Sequence, residues 1–387
     1  MGAFGKIITM TIENKNHHGI QSFNNLFVDK KVLVTGHTGF KGAWLTSWLL
    51  KLGAKIYGIS KDIPTNPSMF EELGLAQKIT HYTEDLRNLD EIKKIIIDVE
   101  PDFVFHLAAQ PIVSMSYTDP IETITSNVIG TANILEALRH ANQPCIAIII
   151  TSDKCYDNVE WVWGYKETDA VGGKDIYSGS KGAAELIFKS YYHSFFNKST
   201  SNVRIASARA GNVIGGADWA LDRIVPDCMR AWSEGKVVEI RSPNATRPWQ
   251  HVLEPLSGYL NLAQELYARP ELNGQSFNFG PNPEYNHTVK QILEDLSKCW
   301  KYNDPASAYR ITDNIKFNEA GLLKLNCDKA LFYLKWKAAL DYDQLLNFTG
   351  DWYYTYYKGN EDMFAYTTRQ IEEYENKANK QGIKWTL

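Results

Sequence analysis

The residues best suited to chemistry lie between Thr151 and Lys181. A Tyr-x-x-x-Lys spacing, Tyr177-Ser178-Gly179-Ser180-Lys181, closes this stretch. On a helix, positions four apart stand one above the other, so the phenol of Tyr177 and the ammonium of Lys181 share a face. A cation beside a phenol favours phenolate, which predicts that a group with an ordinary pKa of about 10 is drawn toward neutrality as a base. The stretch opens with Thr151-Ser152-Asp153-Lys154, directly after the apolar run Cys145 to Ile150. With that run as a buried strand, a hydroxyl, a carboxylate and an amine emerge at its carboxyl end. That is where open α/β sheets hold their ligands.

The elements that must position these groups are legible upstream. Lys31 to Thr35 is a short β-rich run feeding Gly36-His37-Thr38-Gly39-Phe40-Lys41-Gly42. Trp44, Leu45, Trp48, Leu49 and Leu52 then recur at helical spacing until Gly53. The glycine spacing G-x-x-G-x-x-G differs from G-x-G-x-x-G. The physics is shared, because glycines let a turn close and let backbone approach a pyrophosphate at a helix N-terminus. A second strand, Lys55 to Ser60, ends in Ile59-Ser60-Lys61-Asp62, which offers both an acid for a ribose hydroxyl and a base for a 2′-phosphate. The spacing leaves NAD and NADP both open.

A third strand precedes Asp85-Leu86-Arg87, and a charged amphipathic helix covers 89–99. A fourth strand, Asp102 to His106, runs into Leu107-Ala108-Ala109-Gln110. These small residues either let backbone pass beneath a flat ring or allow close helix–strand packing. A long helical pattern spans Ile121 to His140, with Asn127 and Gly130 inside it. After Lys181 a helix runs to about Phe196, followed by a strand from Val203 to Ala208. Strands alternating with helices predict an α/β fold with a Rossmann-type, doubly wound parallel sheet.

Beyond the glycine-rich segment Arg209 to Trp219 the elements shorten, which predicts a smaller C-terminal lobe for substrate. Arg223, Arg241 and Arg247 are candidate phosphate clamps, with solvated surface arginines as the alternative. The expected organisation is an irregular, loosely held extension over 1–28, a dinucleotide-binding domain over 29–210, and a lobe over 211–387 that is mainly substrate-binding and returns a strand to the first domain. His17-His18 reads as part of a solvated tail, and the aromatic tail from Trp352 as a terminal amphipathic helix.

Composition narrows the function classes. With 44% hydrophobic and 22% charged residues over 387, this is an ordinary globular chain long enough for two lobes. A net charge of -4 gives no global attraction to nucleic acid or to an anionic membrane. Five scattered cysteines without C-x-x-C suggest neither a disulfide framework nor a zinc site, and no metal is expected. No apolar run approaches the roughly 18 residues of a membrane span, and a signal-peptide core is lacking. A cytoplasmic location is the expectation.

Together the pieces resemble the extended short-chain dehydrogenase/reductases that modify nucleotide sugars. Gly36-His37-Thr38-Gly39-Phe40-Lys41-Gly42, Thr151-Ser152-Asp153-Lys154-Cys155-Tyr156, Trp161-Val162-Trp163-Gly164-Tyr165 and Arg247-Pro248-Trp249-Gln250-His251-Val252-Leu253 resemble the CDP-glucose branch of the 4,6-dehydratases, over about residues 28 to 345. Lys154 stands where the dTDP branch has a glutamate, while Ile176 and Gly179 depart from the expected Pro and Ser. The resemblance implies NAD as cofactor, with NADP not excluded, and CDP-glucose as substrate. It implies a cofactor site at Gly36, Thr38, Gly39, Phe40, Lys41, Gly42, Asp85, Leu86, Leu107, Ala108, Ala109, Gln110, Tyr177 and Lys181. Substrate contacts would come from Asn127, Asn212, Trp219, Arg223, Arg247 and His251.

By the same resemblance Tyr177, helped by Lys181 and Ser152, removes the proton of the sugar 4-hydroxyl. Lys154 takes the C5 proton and Asp153 protonates the departing C6 hydroxyl. Those roles require a neutral Lys154 and a protonated Asp153. A homodimer or homotetramer through the helices at 121–140 and 178–196 is implied, as is a place in surface-polysaccharide deoxysugar synthesis. The alternatives are a nucleotide-sugar 4-epimerase, which shares the fold and the Tyr177–Lys181 pair, or a 4,6-dehydratase acting on a different nucleotide sugar.

Overall fold

The structure, a computed structural model, describes residues 20–240, 242–282, 287–300, 304–312 and 322–387. His17, His18 and Arg241 lie outside the described residues. Seven strands form one sheet: β1 (Lys31–Thr35), β2 (Lys55–Ser60), β3 (Thr80–Thr83), β4 (Phe103–His106), β5 (Cys145–Ile150), β6 (Val203–Ala210) and β7 (Ser276–Phe279). Their order is β7-β6-β5-β4-β1-β2-β3, and every neighbouring pair is parallel. The sequence explains this. β4 and β5 are buried at every position, as strands covered on both faces must be.

The helices around the sheet are α1 (Phe40–Lys51), α2 (Leu89–Val99), α3 (120–138, with a π turn at Thr125–Ile129), α4 (Ile176–Tyr191), α5 (Ile224–Ser233), α6 (Leu253–Ala268), α7 (Val289–Cys299), α8 (Tyr342–Lys358) and α9 (Met363–Lys380). Side chains of one strand alternate between two cores. Val32, Val34, Phe103, Phe105, Ile146 and Ile148 pack with Trp44 and Trp48 of α1 and with the apolar face of α6. Leu33, Val104, Ala147 and Ile149 meet Ile92, Ile96, Ile134, Leu138 and Phe188 of α2, α3 and α4. From β1 the chain winds one way through β2 and β3, then restarts on the other side at β4. Connections leaving β1 and β4 diverge there, so the crevice at their carboxyl ends is the ligand position for this topology.

Two terminal readings are corrected. Residues 20–28 are not loosely held, because Phe23 and Phe27 are fully buried and Phe23 stacks on Trp385 at 4.9 Å. The aromatic tail is two helices rather than one. Gly359 ends α8, the Asp362 side chain accepts the Ala365 N–H to start α9, and Trp352 lies buried inside α8. The hairpin is pinned on α1, where the Trp48 indole donates to Glu375 Oε1 at 2.8 Å and Lys51 pairs with Glu375 at 2.7 Å.

Candidate active site

The loop between β1 and α1 is shaped by two glycines that no other residue could replace without moving backbone. Gly36 has φ +74, and a Cβ there would sit 2.7 Å from the Ala108 nitrogen. A Cβ on Gly42 would sit 2.0 Å from the Gly36 carbonyl oxygen. The turn therefore lies against the 107–110 backbone, and α1 starts at Phe40 with no side chain capping its first turn. Open N–H groups at a positive helix end, reached through glycine, fit the pyrophosphate of a dinucleotide. Thr38 ties the turn to the end of β2, its hydroxyl donating to the Asp62 carbonyl at 2.7 Å.

Behind the 107–110 segment lies a hydrogen-bond chain that sequence reasoning missed. Ala108 N–H donates to Thr35 Oγ1 at 3.2 Å, and Thr35 Oγ1 donates to His106 Nδ1 at 2.7 Å. His106 Nε2 meets Thr131 Oγ1 at 3.0 Å, and that hydroxyl donates onward to the Asn127 carbonyl. These partners assign the Nε2–H tautomer. Burial, then the charge of Lys181, lowers the His106 pKa to about 3, so the ring is neutral. Asn127 is 1% exposed with its amide committed: Oδ1 accepts Gln110 N–H at 2.8 Å, and Nδ2 donates to the Gln110 carbonyl at 3.2 Å and to Ser180 Oγ at 2.9 Å. It ties the 107–110 segment to α4 rather than facing substrate.

At the carboxyl end of β5, Ser152 caps a 3-10 turn, Asp153–Cys155, by accepting Lys154 N–H at 3.2 Å. Its hydroxyl donates to Asp153 Oδ1 at 2.9 Å. α4 begins because the Asp175 side chain accepts Ser178 N–H, which sets Tyr177 in the first turn and Lys181 one turn on. Tyr177, Lys181 and Asp153 are buried, and the Lys181 ammonium lies 5.9 Å from the Tyr177 ring centre. Ser152 hydrogen-bonds the phenol. Ser152, Asp153, Tyr177 and Lys181 thus meet at one strand end, and Lys154, half-buried, follows Asp153 in the same 3-10 turn.

The direction of the phenol shift differs from the expectation. Burial pushes the Tyr177 pKa up to about 12, with the Ser152 hydrogen bond and Arg223 pulling down and Asp153 pushing up. Burial also lowers Lys181 to about 8, against the pull of Cys155 and Glu185. Desolvation is the largest influence on both members of the pair and drives each toward neutrality.

Lys41 points away from the glycine turn. Its ammonium lies 3.5 Å from the Tyr259 hydroxyl of α6, within electrostatic reach of Arg223, Asp153 and Lys181. Burial, then Arg223, lowers it to about 8. Arg223 precedes α5 and is held by Asp218 at 2.8 Å, in electrostatic contact with Tyr177 and Lys41, so it reaches the same cluster. Gly211 brings backbone close to Asp153: a Cβ there would lie 3.0 Å from Oδ2 and 3.9 Å from the Pro248 ring. Asn212 follows, its carbonyl taking Gln250 N–H at 3.2 Å, while half-buried Arg247 donates to the Thr246 carbonyl in a short ladder with His287–Thr288.

Two expected substrate residues sit in the core instead. Trp219 is 3% exposed, donates to the Tyr357 hydroxyl at 3.0 Å and packs on Trp352 and Tyr356. His251 is fully buried between Trp44 and Phe348, its Nδ1 accepting Leu253 N–H at 3.3 Å, and burial lowers its pKa to about 3. Both follow from aromatic packing against α1 and α8, elements contributed from the two ends of the chain.

Beneath the strand end, the side chains of Glu185 and Arg209 are wholly inaccessible and meet at 2.7 Å. Thr151 Oγ1 donates to Glu185 at 2.5 Å, Ser207 Oγ donates to it at 3.0 Å, and Arg209 donates to the Tyr156 hydroxyl at 2.7 Å. The spacing Lys181–Glu185, four residues on α4, was the available sequence signal.

A doubly wound parallel sheet with a glycine turn after β1 and a Ser–Tyr–Lys cluster at β5 and α4 defines an extended short-chain dehydrogenase/reductase. Residues 33–349 match the family model described as GDP-mannose 4,6 dehydratase, and the chain belongs to that family. It is 44% identical to the CDP-glucose 4,6-dehydratase of Salmonella typhimurium over 353 residues, 90% of this chain and 97% of that one. Solved structures with this fold include the UDP-glucuronic acid 4-epimerase of Bacillus cereus in complex with UDP-glucuronic acid and NAD (TM-score 0.71, 22% identity, covering 84% of this chain and 99% of that one). Another is the dTDP-glucose 4,6-dehydratase of Bacillus anthracis in complex with NAD (TM-score 0.69, 18% identity, 84% and 97%).

Proposed function

We propose that the chain is a hydro-lyase that converts CDP-glucose to CDP-4-keto-6-deoxyglucose with NAD. The observation that carries this is the cluster of Ser152, Asp153, Tyr177 and Lys181 at one strand end, with Lys154 next along the same turn, in a chain 44% identical along 97% of a CDP-glucose 4,6-dehydratase. Gly36, Gly39, Phe40 and Gly42 would hold the pyrophosphate, with Asp85, Leu86 and the 107–110 segment lining the rest of the groove. When bound, the nicotinamide supplies positive charge and a hydride acceptor that takes hydride from C4 and later returns it to C6.

Tyr177 accepts the proton of the 4-hydroxyl, with Ser152 passing hydrogen-bond support to the phenol and Lys181 balancing the resulting negative charge. Oxidation at C4 acidifies the C5 proton, and Lys154 removes it. Asp153 gives a proton to the C6 hydroxyl, which departs as water, and as hydride is added at C6 Lys154 returns a proton, exchangeable with solvent, to C5. Arg223 and Arg247 are the cations for the diphosphate, and Asn212 lies on the same rim. Residues 29–210 act as the dinucleotide-binding domain and 211–387 mainly as the nucleotide-sugar lobe. Exposed Ile121, Ile129 and Leu186 on α3 and α4 support a homodimer or homotetramer formed through these helices. Among the described residues no helix is long and apolar enough to cross a membrane. A cytoplasmic enzyme supplying deoxysugars for surface polysaccharide fits these features.

The test is incubation with CDP-glucose in heavy water, followed by mass spectrometry and NMR of the sugar nucleotide. Loss of one water with deuterium at C5 is expected. Inversion at C4 with the C6 oxygen kept would replace this reading with a 4-epimerase. Turnover only of another nucleotide sugar would overturn the substrate.

A further inference from the structure

Two cations stand at the end of the cleft where a Rossmann-type site reads the adenosine ribose, and both are already paired. Lys61 directly follows β2, and its ammonium donates to Glu122 Oε1 at 2.6 Å. Arg87 follows β3, which pairs with β2 so that Thr83 lies beside Ser60. Its Nε donates to both Asp85 oxygens at 2.9 and 3.0 Å, while Nη1 pairs with the second oxygen of Glu122. Ser126 Oγ donates to Glu122 at 3.0 Å and completes its set. Hydrogen bonding to Lys61 holds the Glu122 carboxyl below its usual range, and hydrogen bonding to Arg87 does the same for Asp85.

The sign of the charge here decides which dinucleotide fits. A basic residue at this strand end accommodates a 2′-phosphate, whereas an acid takes a 2′-hydroxyl. Lys61-Asp62 alone offered both. With Glu122, Asp85 and Glu84 counted, the last accepting the Asp85 N–H at 3.2 Å, two cations stand among three carboxylates, a local balance of one negative charge. A 2′-phosphate would meet net repulsion, and would gain a cation only by displacing a carboxylate from a charge-assisted hydrogen bond.

We infer that Glu122 is a specificity-determining residue: by bridging Lys61 and Arg87 it makes the cleft select a dinucleotide with a free 2′-hydroxyl and reject one with a 2′-phosphate. The inference rests on reading 29–210 as a dinucleotide-binding domain. Glu122 touches no catalytic side chain, so its effect belongs to binding.

The experiment is calorimetric titration of the nucleotide-free full chain with NAD and with NADP, for the wild type, Glu122→Gln, and Glu122→Gln with Lys61→Met. The wild type is expected to bind NAD at least about tenfold more tightly than NADP. Glu122→Gln removes one negative charge within a Debye length of the phosphate dianion. It should narrow that gap by roughly tenfold at low salt, less at high salt. Lys61→Met in that background should abolish most of the gain. An unchanged NADP-to-NAD ratio in a variant that still binds NAD overturns the inference and leaves the dinucleotide domain standing. Binding of neither dinucleotide by the wild type overturns both. Glu122→Ala provides the same arms where the glutamine variant fails to fold.

Discussion

Replacing Glu185 by glutamine removes one charge from an ion pair whose two side chains have no access to solvent. Unscreened, the loss of one partner leaves Arg209 buried and uncompensated, a change that costs about 3–5 kcal/mol. Against a total stability of about 5–15 kcal/mol this is severe but survivable. Replacing both, Glu185→Leu with Arg209→Met, removes the charges together. Ser207 then keeps Ser276 at 2.7 Å and Tyr156 keeps Asn278 at 2.8 Å, so among the groups that touched the pair Thr151 loses most. The double variant should therefore be more stable than Glu185→Gln, with a coupling of at least about 2 kcal/mol. Urea unfolding of the wild type, Glu185→Gln, Glu185→Leu, Arg209→Met and the double Glu185→Leu with Arg209→Met measures this directly. A cost below about 1 kcal/mol for Glu185→Gln, or simple additivity, would refute the argument. Activity gives a second readout. Lys181 lies one turn before Glu185, whose charge opposes the lowering of its pKa by burial. In folded Glu185→Gln, Lys181 should lose its proton at lower pH, and the alkaline fall of C4 oxidation should move the same way.

Gly42→Ala would place Cβ 2.0 Å from backbone oxygen, so it should abolish NAD binding in calorimetry. Gly179→Ala, inside α4 with nothing within 4 Å, should instead raise stability by about 0.5–1 kcal/mol with NAD binding retained. Lys154→Met should keep C4 oxidation, seen as transient reduced cofactor, while losing deuterium exchange at C5; Asp153→Asn should keep that exchange and slow water loss. Burial raises the Glu254 pKa to about 7, against hydrogen bonds from Leu340 N–H, the Tyr374 hydroxyl and Ala339 N–H. Its folded pKa exceeds the unfolded value of 4.5, so the stability it contributes is present below that pH and lost as pH rises through 7. Urea midpoints at pH 5 and pH 8 should differ by the equivalent of about 2.5 kcal/mol more in wild type than in Glu254→Gln.

The fold was legible because its strands are short apolar runs between turn residues, and parallel strands covered on both faces have to look that way. The Tyr177–Lys181 pair and the strand-end triplet were equally visible, since both depend on local spacing. Groups whose roles depend on distant partners were not. Trp219 and His251 look like ligand contacts beside arginines and glycines, yet their surroundings come from α1 and α8, far away in sequence. Lys41 belongs to the glycine turn by position and to the catalytic cluster by the direction of its side chain. Lys61-Asp62 was ambiguous because the deciding residue, Glu122, lies two strands further along.

The expected drift of Tyr177 toward phenolate failed for a physical reason. Spacing correctly put a cation one turn from a phenol, but the inference to phenolate assumed that attraction between them dominates. The pair is buried, and desolvation drives Tyr177 up to about 12 and Lys181 down to about 8, each toward its uncharged form. In this buried pair the direction of the phenol shift is set by burial first, and the groups that pull against it are the Ser152 hydrogen bond and Arg223 rather than Lys181. The spacing of Tyr177 and Lys181 is local and therefore legible, whereas the cation that acts on the phenol comes from the segment ahead of α5, further along the chain.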